Sequence, residues 1–535
     1  MKPFLYLTLS LSFLITTGAK AQFTNIQIGN QHAPEEVTIC INPRNHHQVV
    51  AGANLDNYYF SSDGGSTWTG KRLVSPGNGV YGDPCTFTDT AGNFYFMHLS
   101  NPPGGMGNWV DRIVCHRSVD GGQTYNNGTY TGLNGTKVQD KHWAAVNPLT
   151  NEIYVCWTQF DVYGSHKSSD SSVILFSKSA DNAATWTSPR RISKQAGDCI
   201  DSDSTVEGAV PCVGPAGQIY VSWAGPQGLV FNKSFDDGNS WMPQELLVNT
   251  IPGGWDYNVS GLFRCNGLPV TACDLSHGPH RGTIYINWSD QRNGTTDTDI
   301  FLVKSTDGGI TWSAPFRVNN DPPGKQQFMS GMTIDQANGD IYVLYYDRRA
   351  YASGDSTRPY VSGDSTDVYL ARSTDGGSSF LEFKVNEKAF VPDPSVFFGD
   401  YIGISAHDKM VRPIWMAYNG KILSAWTALI DATMLGIYEN KAFDFAPMAM
   451  EQNIPNPFNE STLIHFDLLD KTVVTLSIYD MLGKKVAVLY ENQKMDKGGH
   501  DYIFNAKAAG LRPGIYHYNL ECGMNRITRK MSIIE

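Results

Sequence analysis

The sequence predicts an all-β protein: a six-bladed β-propeller followed by a small C-terminal β-sandwich. Three observations predict it. The first is a repeated octapeptide, SSDGGSTW (Ser61 to Trp68), which returns as SVDGGQTY (Ser118 to Tyr125), SADNAATW (Ser179 to Trp186), SFDDGNSW (Ser234 to Trp241), STDGGITW (Ser305 to Trp312) and STDGGSSF (Ser373 to Phe380). The leading serines are 57, 61, 55, 71 and 68 residues apart, room for one four-stranded unit with its loops. The second is a recurrent run of alternating apolar and aromatic residues, NEIYVCWTQ, GQIYVSWAG, GTIYINWSD and GDIYVLYYD, with period two and Gly or Asn turns before it. The third is a change of pattern near residue 440, where the octapeptides stop and shorter strands begin, punctuated by PNPF, LGK and RPG.

Each octapeptide reads as a tight turn, because DGG supplies the positive φ that turns require. The third copy has Ala183 in place of glycine and is expected to be the most distorted. A single small antiparallel sheet cannot bury both faces, whereas radial packing lets every sheet cover its neighbours. Six repeats therefore predict six blades over residues 22–440. Ahead of them, MKPFLYLTLSLSFLITTGAKAQ has a basic residue, a short apolar run and Ala19-Lys20-Ala21, the form of a signal peptide over residues 1–21. The run is shorter than the roughly 20 residues of a membrane span. A linker is expected over 441–452 and the sandwich over 453–535.

A net charge of −11 and the lack of any Lys/Arg-rich run argue against nucleic acid as a partner. The nine cysteines have no zinc spacing and read mainly as buried apolar side chains. The inner strands are expected to be the runs that open each repeat, and their leading positions are polar: Glu35, Glu36, Asp83, Asp140, His142, Glu207, Asp400 and Tyr401. Closure of the ring would bring these to one mouth. Such carboxylates could hold Ca²⁺, a hard cation that takes oxygen ligands; no other cofactor is implied. Trp143, Trp255 and Tyr401 could offer stacking faces to sugar rings. Arg292 and Arg348 are expected to pair with Asp290 and Asp347 inside their blades.

The octapeptide resembles the Asp-box, or BNR repeat, of sialidases and related propellers. The resemblance implies that Asp63, Asp120, Asp181, Asp236, Asp307 and Asp375 are structural, accepting hydrogen bonds within their turns. It further implies a secreted glycoside hydrolase of exo-sialidase type acting on a glycan or glycoprotein. GDYIGISAHDKMVRPIW resembles the strand carrying the sialidase tyrosine nucleophile, and VEGAVPCVGPAGQIYVSW the strand carrying its glutamate, which gives Tyr401 and Glu207 those roles. Asp56, in GANLDN, is the candidate acid/base. Glu36, Asp83, Asp140, His142, Arg264 and Asp400 are candidate substrate contacts. Sialidases open the first blade with Arg-Ile-Pro, but this chain has Glu36-Val37-Thr38, so an acidic sugar would meet uncompensated negative charge. The alternative is a non-catalytic glycan- or protein-binding propeller at the cell surface. The C-terminal segment resembles the sorting domain of the type IX secretion system, through PNPF, IYD-x-LG, GIY and Arg529-Lys530. That implies partnership with the secretion machinery, and a protein that is secreted or attached at the surface.

Overall fold

The computed structural model describes residues 23–349, 365–435, 448–468, 471–481, 483–522 and 525–534. The expected signal peptide and residues 441–447 of the expected linker lie outside the described residues. The chain divides into two units, Met1–Ala432 and Thr433–Glu535.

Among the described residues the first unit contains seven four-stranded antiparallel sheets and one two-stranded hairpin, Asp256–Tyr257 with Cys265–Asn266. The innermost strands are Thr38–Ile41, Cys85–Thr88, Val138–Val146, Glu207–Val213, Val270–Cys273, Gln327–Ile334 and Gly403–His407. Each contacts the next, and the seventh contacts the first. A closed ring of this kind is a propeller, and it leaves no sheet face uncovered.

The blade count is therefore seven, against the six read from the repeats. The Asp-box occupies the turn between a blade's third and outermost strands, as between Asn57–Ser61 and Thr69–Arg72 in blade 1. In blade 7 the third strand is Ile422–Asp431 and the outermost is Thr24–Gly29, from the start of the chain. No turn joins these two strands, so blade 7 has nowhere to carry a box. Pairing of the first and last strands of this unit in one sheet closes the ring.

All six box aspartates make the bonds expected of them. Asp63 accepts the Thr67 amide at 2.9 Å, the Thr67 hydroxyl at 2.6 Å and the Ser61 hydroxyl at 2.8 Å, while Ser61 Oγ accepts the Gly65 amide at 2.8 Å. The third copy is not distorted. Ala183 takes the left-handed conformation of the glycine it replaces, with φ 63°, and its amide still donates to Ser179 Oγ at 3.0 Å. The cost appears as backbone strain rather than as a lost bond. Arg292 pairs with Asp290 at 2.6 Å as expected. Asp347 pairs instead with Arg349, at 2.8 Å, while the fully buried Arg348 donates to Thr366 Oγ1 and the Ser260 carbonyl. All nine cysteines are free thiols, eight buried and Cys40 half-buried.

The second unit is a β-sandwich. One sheet orders Met448–Met450, Ser461–Leu468 and Gly498–Asn505; the other orders Lys485–Met495, Thr472–Tyr479, Gly514–Cys522 and Asn525–Ile533. Phe466, Leu476, Ile478, Phe504, Tyr518 and Met531 fill its core. Met448–Met450, placed by sequence in the linker, is an edge strand with Met448 and Met450 buried. Tyr518 fixes the approach to PNPF: its hydroxyl donates to the Glu451 carbonyl at 3.0 Å and accepts the Asn453 amide at 2.8 Å.

Candidate functional site

Strand direction sorts the side chains between the propeller's two ends. Inner strands run from the end bearing Glu36, Asp83 and Tyr401 toward the end bearing the boxes. The box aspartates are thus remote from the acidic mouth.

One backbone position builds that mouth. Lys141 and His142 form a bulge between the pairs Asp140 with Thr158 and Trp143 with Cys156; Gly208 and Ala209 do the same in blade 4, and Met329 and Ser330 in blade 6. A bulge re-aims a side chain and ends regular pairing, and such bulges concentrate at the rims of closed sheets. Two residues before the first pair of each inner strand, or before the first pair after the bulge in blades 3, 4 and 6, stand, in blade order, Glu36, Asp83, Lys141, Gly208, Leu268, Met329 and Tyr401. Five of the seven have positive φ: Glu36 50°, Asp83 52°, Lys141 48°, Gly208 72° and Met329 49°. Side-chain-bearing residues are uncommon there, so the ring stores strain at its mouth. Its composition is two-sided, with Tyr401, Glu36, Asp83 and Lys141 on one arc and Gly208, Leu268 and Met329 on the other.

The charged arc centres on Lys141. Its Nζ lies 2.7 Å from Asp400, 3.1 Å from Glu36 Oε1 and 3.4 Å from Asp83 Oδ2, and all four residues are buried. This ammonium occupies the middle of the carboxylates, where Ca²⁺ would have to sit. Among the described residues, no group of three or more His, Cys, Asp or Glu is arranged to hold a metal ion. Arg264 Nε donates to Asp400 Oδ1 at 2.8 Å, and its Nη1 lies 3.4 Å from Asp201 Oδ2.

These contacts drive the carboxyls apart. Burial pushes Glu36 well above the usual carboxylate range, and Asp83 beside it adds to the rise despite Lys141. Burial also raises Asp83, against the pull of Lys141. Asp140 is raised by burial and by Asp201, again against Lys141. Asp400 goes the other way: burial would raise it, but Lys141 and Arg264 hold it well below its ordinary value. Burial would lower Lys141, yet Asp400, Asp83 and Glu36 keep it charged. Glu35, just outside, is lifted to about 8 by burial and by Glu36.

Tyr401 lines a cavity on the axis with Lys141, Trp143, Leu268, Met329 and Asp400. Its ring meets Trp143 edge to face, with centroids 5.0 Å apart. Its hydroxyl donates to the Pro84 carbonyl at 3.5 Å. Burial, then Glu36 and Asp83, raises its pKa well above that of a free phenol.

Glu207 is not bonded to Tyr401. It stands one residue before the ring position in blade 4, three blades from Tyr401, where burial, Asp201 and Asp140 raise its pKa well above the usual range. Its Oε2 has no hydrogen-bond partner. Asp56 lies between the second and third strands of blade 1, away from the axis, and is bonded to Arg72 at 2.5 Å. His142 is buried against Met97 of blade 2, and burial lowers its pKa to about 3. Trp255 is only 5% exposed and offers no stacking face. Lys141 is the residue that sequence reading missed. Its signal was present in Asp140-Lys141-His142, three polar residues where a strand should have begun alternating.

Comparison with known proteins bears on the two units differently. Residues 454–535 match the family model described as the secretion system C-terminal sorting domain. That segment is a sorting domain. The protein is therefore exported, to be secreted or attached at the cell surface, and the secretion machinery is its partner. No helix among the described residues is long and apolar enough to cross a membrane. A search of curated proteins found no match. Solved structures similar to the chain include the Hadza microbial sialidase Hz136, at 12% identity over 71% of this chain and 73% of that one, TM-score 0.40. An α-L-arabinanase from Penicillium chrysogenum is 14% identical over 65% and 93%, TM-score 0.42. An ulvan lyase, a polysaccharide lyase, is 14% identical over 77% and 95%, TM-score 0.42. The propeller assignment rests on the closed strand ring itself.

Proposed function

We propose that this exported protein acts on glycans, cleaving a glycosidic bond of a neutral sugar at the Tyr401 end of the propeller axis. The observation that carries this reading is the ring arc: a phenol in blade 7 neighbours two buried carboxyls, Glu36 and Asp83, whose affinity for protons differs sharply from that of Asp400 beside them. Groups held in different protonation states in one mouth can supply both a base and an acid. In this reading Tyr401 Oη attacks the anomeric carbon and the bond to the leaving oxygen breaks. The phenolic proton passes to whichever of Glu36 and Asp83 is ionised, and the other carboxyl protonates the leaving group. Water then releases the sugar from the tyrosine. Glu36, in the adjacent blade, replaces Glu207 as the proposed partner of Tyr401.

A neutral sugar follows from the cations. Lys141 and Arg264 are both paired with carboxylates, so a carboxylate-bearing sugar would have to compete with an existing ion pair at either cation. Sialic acid would have to displace Asp400 or Glu36 from a cation and leave that carboxyl unpaired in a buried site. The second reading, a non-catalytic glycan- or protein-binding propeller, draws on the Tyr401 hydroxyl, which bonds a backbone carbonyl and no carboxylate.

The test is turnover of a panel of neutral and acidic aryl glycosides by the parent and by Tyr401→Phe and Glu36→Gln. At least one neutral glycoside should be cleaved, with kcat falling at least 100-fold in Tyr401→Phe and the thermal midpoint retained. A parent inactive on the whole panel, or a Tyr401→Phe protein as fast as the parent, would contradict hydrolysis.

A further inference from the structure

Beside the axial mouth, on the same end of the propeller, three aromatic side chains from three separate loops meet in the open. Tyr81 precedes the inner strand of blade 2, Trp109 lies between its second and third strands, and Tyr163 lies at the equivalent turn of blade 3. Tyr81 and Trp109 touch edge to face with centroids 5.2 Å apart, and Trp109 and Tyr163 at 5.9 Å. They are 37%, 42% and 36% exposed, although rings of this size are the first side chains a fold buries when it can.

The cluster is also held in place. The loop carrying Trp109 is pinned by buried Asp111, which accepts the Ser100 hydroxyl at 3.0 Å and the Asn108 amide at 2.9 Å and is bonded to Arg112 Nε at 2.6 Å. The Val110 amide closes the loop onto the Ser100 carbonyl at 3.0 Å. A buried ion pair thus immobilises the residues immediately after an exposed tryptophan, which is the economy of a preorganised contact. Tyr163 is fixed from the other side, donating to Asp201 Oδ2 at 2.6 Å. Asp201 contacts Arg264, Arg264 contacts Asp400, and Asp400 contacts Lys141, so a continuous chain of polar contacts joins the aromatic cluster to the mouth.

We propose that Tyr81, Trp109 and Tyr163 form a platform for further units of a neutral glycan chain whose end or bond occupies the mouth, so that the ligand is an oligo- or polysaccharide. This rests on the reading of the mouth as glycan-active. Flat rings with polar tips suit the alternating C–H and O–H faces of a sugar, and the carboxylate of Asp201 beside them accepts hydroxyl protons. Three partly exposed rings fall far short of the ~800 Å² per partner that a stable protein interface buries, which favours a sugar chain over a protein.

The experiment is calorimetric titration of the full chain with β-1,4-linked hexaoses of glucose, mannose and xylose and with the matching monosaccharides, using the parent, Trp109→Ala and Tyr81→Ala, with thermal midpoints read alongside. At least one hexaose should bind the parent more tightly than its monosaccharide. Trp109→Ala should then weaken that hexaose about tenfold, equivalent to ~1.4 kcal/mol, and leave the monosaccharide unchanged; Tyr81→Ala gives the same pattern if the tryptophan variant fails to fold. The platform is overturned if no hexaose outbinds its monosaccharide or if both variants keep the parent's hexaose affinity. It is also overturned if the variants lose binding of polylysine while no hexaose binds, which would assign the surface to a basic protein. Tryptophan-dependent hexaose binding without turnover would uphold the platform and reject hydrolysis at the mouth.

Discussion

The two ends of this propeller use carboxylates in opposite ways. At the box end each aspartate is near solvent and surrounded by donors. Asp375 takes the Ser379 hydroxyl at 2.6 Å, the Ser373 hydroxyl at 2.8 Å and two backbone amides, and these bonds outweigh burial to hold it below its ordinary pKa. At the mouth Glu36, Asp83 and Asp400 are buried and Asp140 half-buried around one lysine and one arginine, and only Asp400 is depressed. An aspartate given several donors becomes a structural fixture. A carboxyl buried among other carboxyls keeps its proton and stays available for chemistry. The same residue type therefore marks scaffold at one end and candidate function at the other.

Lys141 is where this contrast breaks most easily. Replacing it with methionine leaves three buried carboxyls without their shared cation. The loss should be about 3–5 kcal/mol, the scale for deleting one partner of a buried ion pair, and denaturant unfolding measures it. Asp63→Asn at the box end should cost much less, because its site is open to water. Equal losses would mean that the mouth is as well solvated as the boxes.

The pH dependence should carry opposite signs at the two ends. A box aspartate has a folded pKa below its unfolded value, so its stabilisation is present above about pH 4 and is lost as pH falls through the folded value. Glu35 has a folded pKa of about 8 against 4.5 unfolded. The folded state then binds the extra proton, and stability declines as pH rises from about 4.5 to 8. Glu35→Gln should flatten that decline while leaving the acid limb in place. An unchanged profile in chemical denaturation across this window would remove Glu35 from the account.

The smallest effect sharpens the comparison among the boxes themselves. Ala183→Gly should stabilise by about 1 kcal/mol, because a left-handed alanine costs roughly that much relative to glycine. A destabilised Ala183→Gly protein would show that the alanine methyl, buried beside blade 2, contributes more than the backbone strain removes.

Much of this architecture is written in the sequence, and what escaped has physical reasons. The six octapeptides give six blades because each stamps one turn; the seventh is silent because its outer strand comes from residues 24–29 and its third strand from 422–431, leaving no turn to stamp. Glu36, Asp83, Asp140 and Asp400 were legible as mouth residues because each precedes an inner strand. Lys141 was hidden, since a bulge has no propensity signature beyond a break in alternation. The pairing of Tyr401 with Glu207 depended on ring geometry, which spacing along the chain does not supply. Trp109, Tyr81 and Tyr163 lie in loops with no repeat, so only coordinates bring them together.

The most direct measurement is a crystal structure of the full chain soaked with the tightest-binding hexaose from the calorimetric panel. The account predicts a sugar ring against Tyr401 and Trp143, with later units crossing toward Trp109. A saccharide seated at the box end, or one held by neither Tyr401 nor Trp109, would contradict it.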